Sequence, residues 1–205
     1  MQSEQPIDEK KRITLTDVLR AKFKGILDPI AAFLNRLGIA PNTMTMVGLM
    51  GNMIGAIFLI QGKFLVGGLV ILCMGPIDAL DGTMARLRGE ASEFGAFVDS
   101  VTDRYSEILV FAGLLTYYLL QDNTLMAGMT FAAAAGSVLV SYVRARAEGL
   151  GFQAKVGIMT RVERFVVLIP SIIFKVPMVG IWIIAILANI TALQRILTVR
   201  KQARS

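Results

Sequence analysis

Residues 76–103 read PIDALDGTMARLRGEASEFGAFVDSVTD and join two long apolar segments of the chain. The middle of this stretch, residues 86–93, is charged, whereas the segments on either side are rich in leucine, valine and isoleucine. Apolar runs of about 20 residues are long enough to cross the hydrocarbon core of a bilayer as helices. The stretch is therefore predicted to form the turn between two membrane-spanning helices.

The rest of the chain repeats this pattern of apolar runs and short polar turns. Of its 205 residues, 55% are hydrophobic and 18% are charged, and the mean hydropathy is +0.63. A soluble domain usually carries about 25% charged residues. Six runs are predicted to span the membrane, at residues 42–61, 64–85, 94–119, 124–146, 162–174 and 177–198. The predicted fold class is an all-α integral membrane protein with six transmembrane helices.

The segment before Pro41 has a different composition. Residues 13–37 mix apolar positions with the cations Arg20, Lys22, Lys24 and Arg36, and Pro29 is expected to interrupt them. This mixture is typical of an amphipathic helix that lies in the membrane interface. Three regions are predicted: a cytoplasmic tail with an interfacial amphipathic helix at 1–40, a six-span domain at 41–200, and a cytoplasmic tail at 201–205.

The positive charges predict the orientation of the chain. Six spans place all of the 21 Lys and Arg residues except Lys63 and Lys175 on one side of the membrane. Basic residues concentrate on the cytoplasmic side of plasma-membrane proteins. Both termini and residues 86–93 are therefore predicted to face the cytoplasm. The net charge of +6 is then explained by this bias and by anionic lipids, without a nucleic-acid partner.

Two pairs of aspartates flank the charged turn. Asp78 and Asp81 are three residues apart, and Asp99 and Asp103 are four apart, so each pair shares one face of a helix. The chain has no histidine and a single cysteine, Cys73, which excludes imidazole catalysis and a thiolate zinc site. Converging carboxylates suit a hard divalent cation such as Mg²⁺, Mn²⁺ or Ca²⁺. Two ions bridged by carboxylates suit diphosphate chemistry.

These positions belong to a longer pattern, Asp78-x2-Asp81-Gly82-x2-Ala85-Arg86-x8-Gly95-x3-Asp99-x3-Asp103. The pattern resembles the full signature of the CDP-alcohol phosphotransferases, with no departure at any fixed position. The resemblance implies transfer of a phosphatidyl-type group from a CDP-linked lipid, such as CDP-diacylglycerol, to an alcohol, with release of CMP. It also implies a homodimer, as in many relatives.

The same resemblance assigns roles to residues. It implies two Mg²⁺ or Mn²⁺ ions held by Asp78, Asp81, Asp99 and Asp103, with Asp103 as the catalytic base. The short element Pro41-Asn42-Thr43-Met44-Thr45 resembles one that the family uses for the nucleotide. The implied nucleotide-binding residues are Asn42, Thr45, Asp78, Asp81, Gly82, Ala85, Arg86 and Gly95.

Basic residues in the second half of the chain indicate which acceptor alcohol the protein uses. The segments SYVRARAEG (141–149), RVER (161–164) and LQRILTV (193–199) resemble the phosphatidylinositol-phosphate synthase branch of the family and its archaetidylinositol counterpart. This implies that Ser141, Arg144, Arg164 and Arg195 bind the phosphate of inositol 1-phosphate. Glycerol 3-phosphate also carries a phosphate, so phosphatidylglycerophosphate synthesis stays open. Local pairs are expected between Arg146 and Glu148 and between Arg161 and Glu163, whereas Glu107 is taken as structural, within reach of an arginine.

Two further classes of protein are considered. An ion-coupled transporter would carry acids near the midplane of the membrane, often in repeated half-helices. Here the aspartates cluster at one end of the predicted spans and the sequence has no internal repeat, which favours the enzyme. A scaffold that binds lipid headgroups without chemistry is the third hypothesis.

Overall fold

The computed structural model describes residues 15–204, with side chains from residue 25 onward. The first 14 residues of the region predicted at 1–40, together with Ser205 and the side chains of Arg20, Lys22 and Lys24, lie outside this description. The described chain is all-helical, with α1 (Leu15–Arg36), α2 (Pro41–Ile60), α3 (Phe64–Arg88), α4 (Glu93–Leu120), α5 (Thr124–Glu148), α6 (Arg161–Ile173) and α7 (Pro177–Gln202).

Four of these helices are long and apolar enough to cross a membrane, namely α2, α3, α5 and α7. The first half of α4 carries Asp99, Asp103, Arg104 and Glu107, and α6 has only 13 residues, so neither reaches the same standard of length and composition. The chain is therefore an all-helical membrane protein, and six spans remain a prediction.

The turns between the helices lie where the sequence predicts them. Residues 61–63, 121–123 and 174–176 separate α2 from α3, α4 from α5, and α6 from α7. Asp122 and Lys175 adopt φ values of 53° and 60°, in the left-handed region. Asn123 caps α5 by accepting a hydrogen bond from the amide of Met126, at 3.1 Å. Such short turns require antiparallel neighbours, so the start of α2 and the end of α3 lie at the same end of the molecule.

The prediction that Pro29 interrupts the first segment is wrong, because α1 continues through it to Arg36. A proline removes one backbone hydrogen bond, and packing compensates for this loss on the following turns. Ala31 is fully buried with Leu80 and Met84 of α3 in a small core of their own. Arg88 of α3 strengthens the contact by donating to the carbonyl of Ile39, at 2.6 Å.

The main core lies among α2 to α7, and small residues set how closely the helices approach. A methyl group built at Gly113 of α4 would lie 2.7 Å from the carbonyl oxygen of Ala56 in α2. A methyl group at Gly51 of α2 would overlap the sulfur of Met74 in α3. α5 packs on α7, and α6 packs on both α7 and α3. Close contact of α2 with α3 and α4 brings their polar ends together.

We expect Gly113→Ala to lower the midpoint of thermal unfolding in detergent, because the new methyl group meets backbone that cannot move aside. Overpacking of this kind costs about 1–3 kcal/mol. Gly128→Ala is the matched control, since a methyl group at Gly128 of α5 meets nothing within 4 Å. Alanine is the better helix former, so the control should match or exceed the wild-type midpoint. Equal midpoints for the two variants would contradict the close approach of α2 and α4.

Candidate active site

The polar start of α2 and the charged ends of α3, α4 and α6 meet at one end of the bundle. Thr45, in the first turns of α2, donates its hydroxyl to Oδ2 of Asp81 on α3, at 2.6 Å. Arg161, the first residue of α6, reaches Asp103 on α4 and Asp78 on α3. These contacts connect all four helices within a few turns of their ends.

The carboxylates of Asp78 and Asp103 share the guanidinium of Arg161. Nη2 of Arg161 lies 3.5 Å from Oδ2 of Asp78, and Nη1 lies 2.5 Å from Oδ2 of Asp103. Asp81 and Asp103 are buried, whereas Asp99 is exposed. Asp99 lies within electrostatic range of the other three carboxylates. The two aspartate pairs therefore face each other across the space between α3 and α4.

The backbone of α2 forms one wall of this cluster. A methyl group built at Gly48 would overlap Oδ1 of Asp78, so the carboxylate lies directly against the glycine. Asn52, one turn further along α2, is buried and donates to the carbonyl of Gly48, at 2.9 Å. Both Asn52 and Asp78 line a cavity between α2, α3, α4 and α6, together with Asp103, Ser106, Glu107, Arg161 and Arg164.

The donor set suits a hard divalent cation, although the carboxylates are not gathered around one point. Among the side chains that the structure describes, residues 25–204, no three acidic, histidine or cysteine groups are arranged to hold a metal ion. Arg161 supplies the positive charge between Asp78 and Asp103 instead. Carboxylate oxygens are the ligands that Mg²⁺ and Mn²⁺ prefer. The four aspartates therefore fit such an ion by the chemistry of their donor atoms.

The predicted nucleotide-binding residues lie along the same ends of α2 to α4. Arg86 is exposed, donates to the hydroxyl of Thr83 at 2.9 Å, and passes 3.3 Å from a methyl group built at Gly82. Ala85 is half-buried and Asn42 is exposed at the start of α2. The amide of Gly95 donates to the hydroxyl of Ser92, which caps α4. Gly82 thus leaves room for Arg86, while the contacts of Gly95 are local to the helix end.

Arg164 is engaged within the protein. Its side chain is 2% exposed, and Nε and Nη2 donate to Oε1 and Oε2 of Glu107 at 2.6 and 2.9 Å. Its Nη1 donates to the carbonyl of Met159, at 3.3 Å. The expectation that Glu107 lies within reach of an arginine is confirmed. Binding of an acceptor phosphate by Arg164 would require it to leave Glu107.

The other predicted acceptor residues also have protein partners. Arg195 is buried and donates to the carbonyls of Val140 and Val156, at 2.5 and 2.8 Å. Ser141 donates to the carbonyl of Ser137 at 3.4 Å. Arg144 is exposed, and its charge and that of Arg164 both act on Arg195. Arg144 and Arg164 therefore both lie within electrostatic range of Arg195.

The two local pairs predicted from the sequence are wrong. Glu148 pairs with Arg144, four residues before it, at 3.0 Å, because these positions share a helix face whereas Arg146 and Glu148 do not. The carboxylate of Glu163 accepts a hydrogen bond from the hydroxyl of Thr160, the residue directly before α6. Arg161 is thereby free to point across to α4, and it becomes a site residue that the sequence analysis missed. Its position three residues before Arg164, on the same helix face, is the signal that marks it.

Comparison with known proteins shows what this chain is similar to. A family model described as CDP-alcohol phosphatidyltransferase matches residues 38–197. Phosphatidylinositol phosphate synthase of Streptomyces avermitilis is 36% identical over 206 residues, covering 92% of this chain and 84% of that protein. Archaetidylinositol phosphate synthase of Pyrococcus horikoshii is 36% identical over 188 residues, covering 90% of this chain and 96% of that protein.

Solved structures of a relative match the fold. The crystal structure of Mycobacterium tuberculosis phosphatidylinositol phosphate synthase with CDP-DAG bound has a TM-score of 0.80 and 32% identity, covering 85% of this chain and 93% of that chain. The same enzyme in complex with manganese and citrate has a TM-score of 0.81 and 32% identity, covering 85% of this chain and 88% of that one.

We expect Arg161→Gln to lower the unfolding midpoint in the absence of divalent cations, because Asp78 and Asp103 then repel each other without a cation between them. Arg161 is 42% exposed, so solvent screening reduces the effect. A loss of about 1 kcal/mol corresponds to a shift of about 2–4 °C. Arg146→Gln, which removes an exposed arginine of α5, is the control. Equal shifts in the two variants would show that the bridge contributes nothing.

Proposed function

The chain belongs to the CDP-alcohol phosphatidyltransferase family, and we propose that it transfers a phosphatidyl-type group from CDP-diacylglycerol to inositol 1-phosphate, giving phosphatidylinositol phosphate and CMP. The observation that carries the proposal is the meeting of Asp78 and Asp103, from two helices, at the guanidinium of Arg161. The names of the relatives supply the acceptor. Because the chain belongs to an enzyme family, the enzyme hypothesis is preferred to the transporter and scaffold hypotheses.

The four aspartates are proposed to hold two Mg²⁺ or Mn²⁺ ions. Asp78 and Asp81 contribute from α3, and Asp99 and Asp103 contribute from α4. Bound ions of this kind neutralise the charge of a diphosphate and of the departing phosphate. Thr45 keeps the Asp81 carboxylate oriented, and Gly48 lets α2 pack against Asp78 without a side chain between them.

The nucleotide end of the donor is proposed to lie over the exposed ends of α2, α3 and α4. Asn42, Thr45, Gly82, Ala85, Arg86 and Gly95, with Asp78 and Asp81, form this part of the site. Arg86 is an exposed cation beside Gly82, so its guanidinium is available to a phosphate oxygen. The acyl chains of the donor then remain in the bilayer while its headgroup enters the polar end of the bundle.

Asp103 is proposed to act as the base. It accepts the proton of the acceptor hydroxyl while that oxygen forms a bond to the phosphorus that carries the diacylglycerol. The bond from this phosphorus to the oxygen of CMP breaks, and CMP leaves with the electron pair. Asp103 is buried between α4 and α6, which keeps its carboxylate away from bulk water. The positive charge of Arg161 beside it is suited to orient an anionic acceptor.

The acceptor phosphate is proposed to bind at Arg144, Arg161 and Arg195, with Ser141. Arg161 is proposed in place of Arg164, because Arg161 is half-exposed and touches Asp103, the proposed base. Arg144 is exposed and its pairing with Glu148 is easily exchanged. Arg195 donates to two neutral carbonyls rather than to a carboxylate, so its positive charge is available to an acceptor phosphate.

The finer topology is part of the proposal. Residues 108–120 of α4 carry no charge, and three-residue turns join α4 to α5 and α6 to α7, so both helices are proposed to cross with the other four. The protein is then a six-span domain at 41–200 in the plasma membrane, with α1 as an interfacial amphipathic helix, flanking tails at 1–40 and 201–205, and its site facing the cytoplasm. Homodimer formation stays a prediction.

The first test measures CMP release from CDP-diacylglycerol by purified protein supplied with inositol 1-phosphate. Release should require Mg²⁺ or Mn²⁺ and stop on chelation. Asp103→Asn should lower kcat by at least about 100-fold, because a general base contributes about 10²–10⁴ to the rate. The variant should keep the wild-type unfolding midpoint within a few degrees. Metal-independent release, or full activity of Asp103→Asn, would overturn the mechanism.

The second test compares acceptors by the masses of their lipid products. Inositol 1-phosphate should give phosphatidylinositol phosphate, whereas inositol without the phosphate should react poorly because the arginines have no dianion to bind. Glycerol 3-phosphate should be a weaker acceptor by kcat/KM. If glycerol 3-phosphate is preferred instead, the protein is a phosphatidylglycerophosphate synthase and the proposed acceptor is wrong.

A further inference from the structure

We propose that the buried pair Glu107–Arg164 is a positioning device, which holds the start of α6 so that Arg161 lies against Asp103. The proposal rests on the proposed function, because it gives Arg161 a place in the acceptor end of the site. Neither residue belongs to the aspartate signature. Both line the same cavity as Asp78, Asp103 and Arg161.

The geometry is a ladder of two ion pairs between α4 and α6. Asp103 and Glu107 are four residues apart on α4, and Arg161 and Arg164 are three apart on α6. Such spacings place each pair of positions on one face, about one helical turn apart. Arg161 meets Asp103 at the end of the bundle, and Arg164 meets Glu107 one turn deeper. The register of one contact therefore sets the register of the other.

The deeper contact, Glu107–Arg164, is buried, whereas the outer contact, Asp103–Arg161, is accessible to a ligand. Glu107 and Arg164 form a bidentate pair and the arginine is 2% exposed, while Oε2 of Glu107 also lies 3.9 Å from Nη1 of Arg104 on the same helix. A bidentate pair fixes orientation as well as distance. Arg161 is 42% exposed and is bound less symmetrically. Its side chain can leave the aspartates for a ligand while the backbone of α6 stays in place.

The segment before α6 explains why such an anchor is needed. Residues 152–160 form no helix, so α6 does not continue from a preceding helix. The amides of Ile158 and Met159 donate to the hydroxyl of Thr191, which attaches the segment to α7. The carbonyl of Met159 accepts from Arg164. Arg164 thus connects the end of this segment to Glu107, and through it to α4.

Stability alone is a weak reason for this pair. Replacing a buried ion pair by apolar residues of similar volume is often neutral or stabilising, whereas removing one partner is costly. A pair that serves mainly to position its neighbours should therefore be replaceable without loss of folding, yet not without loss of function. The double variant Glu107→Leu/Arg164→Met therefore distinguishes a positioning role from a purely stabilising one.

The kinetic experiment measures kcat and KM for each substrate in four proteins: wild type, Arg161→Gln, Glu107→Leu/Arg164→Met, and the triple variant. We expect the double variant to raise KM for the phosphorylated acceptor about tenfold, with KM for CDP-diacylglycerol unchanged. In the Arg161→Gln background, the same double substitution should have no further effect. Effects that multiply, or equal increases in both KM values, would overturn the proposal. Glu90→Gln, which removes the charge of an exposed glutamate that pairs with Arg88, is the control for charge removal.

A second measurement needs no turnover. The shift in unfolding midpoint caused by Arg161→Gln should disappear in the Glu107→Leu/Arg164→Met background, because Arg161 no longer meets Asp103 there. A shift that persists overturns the positioning role, whatever the enzyme does. If the wild type releases no CMP with any acceptor, the proposed function fails while this measurement still decides the role of the pair. If the double variant does not fold, the pair is required for stability and the proposal is wrong.

Discussion

Negative charge gathered where helices leave a membrane has to be compensated by a cation, and this constraint organises the polar end of the protein. Asp78 and Asp103 come from different helices and meet at one guanidinium, that of Arg161. Without positive charge between them, two carboxylates in a partly buried setting repel each other. The same need makes the cluster receptive to divalent cations, which carry more charge in a smaller volume.

The apolar body of the bundle supports this end by close packing. Gly48 allows Asp78 to lie against α2, and Gly113 allows α4 to approach the backbone at Ala56. Because α2 contacts both α3 and α4, it holds the two aspartate-bearing helices at a common distance. A site with precise spacing can thus be built on helices whose outer faces are exposed to lipid, since the inner faces alone determine the geometry.

The arginines illustrate how depth within the bundle decides the role of a side chain. Arg161 and Arg164 occupy the same face of α6, and either one suits an anionic ligand by charge alone. Arg164 lies a turn deeper, opposite Glu107, and is neutralised there, whereas Arg161 remains half-exposed beside Asp103. The expected pairs Arg146–Glu148 and Arg161–Glu163 are wrong for a related reason. Both predictions paired each arginine with the nearest acidic residue in the sequence, whereas the fold determines the partner.

The amino-acid sequence determined the helices and the aspartate signature, because apolar length and residue spacing are properties of the chain itself. The predicted spans begin and end within a few residues of α2 to α7, and the resemblance identified the family. Only the tertiary structure decided which arginine meets which carboxylate, how α1 passes through Pro29, and that Glu107 lies opposite Arg164. The ion pairs among these contacts join residues 57 to 83 positions apart, and their distances depend on how the helices pack.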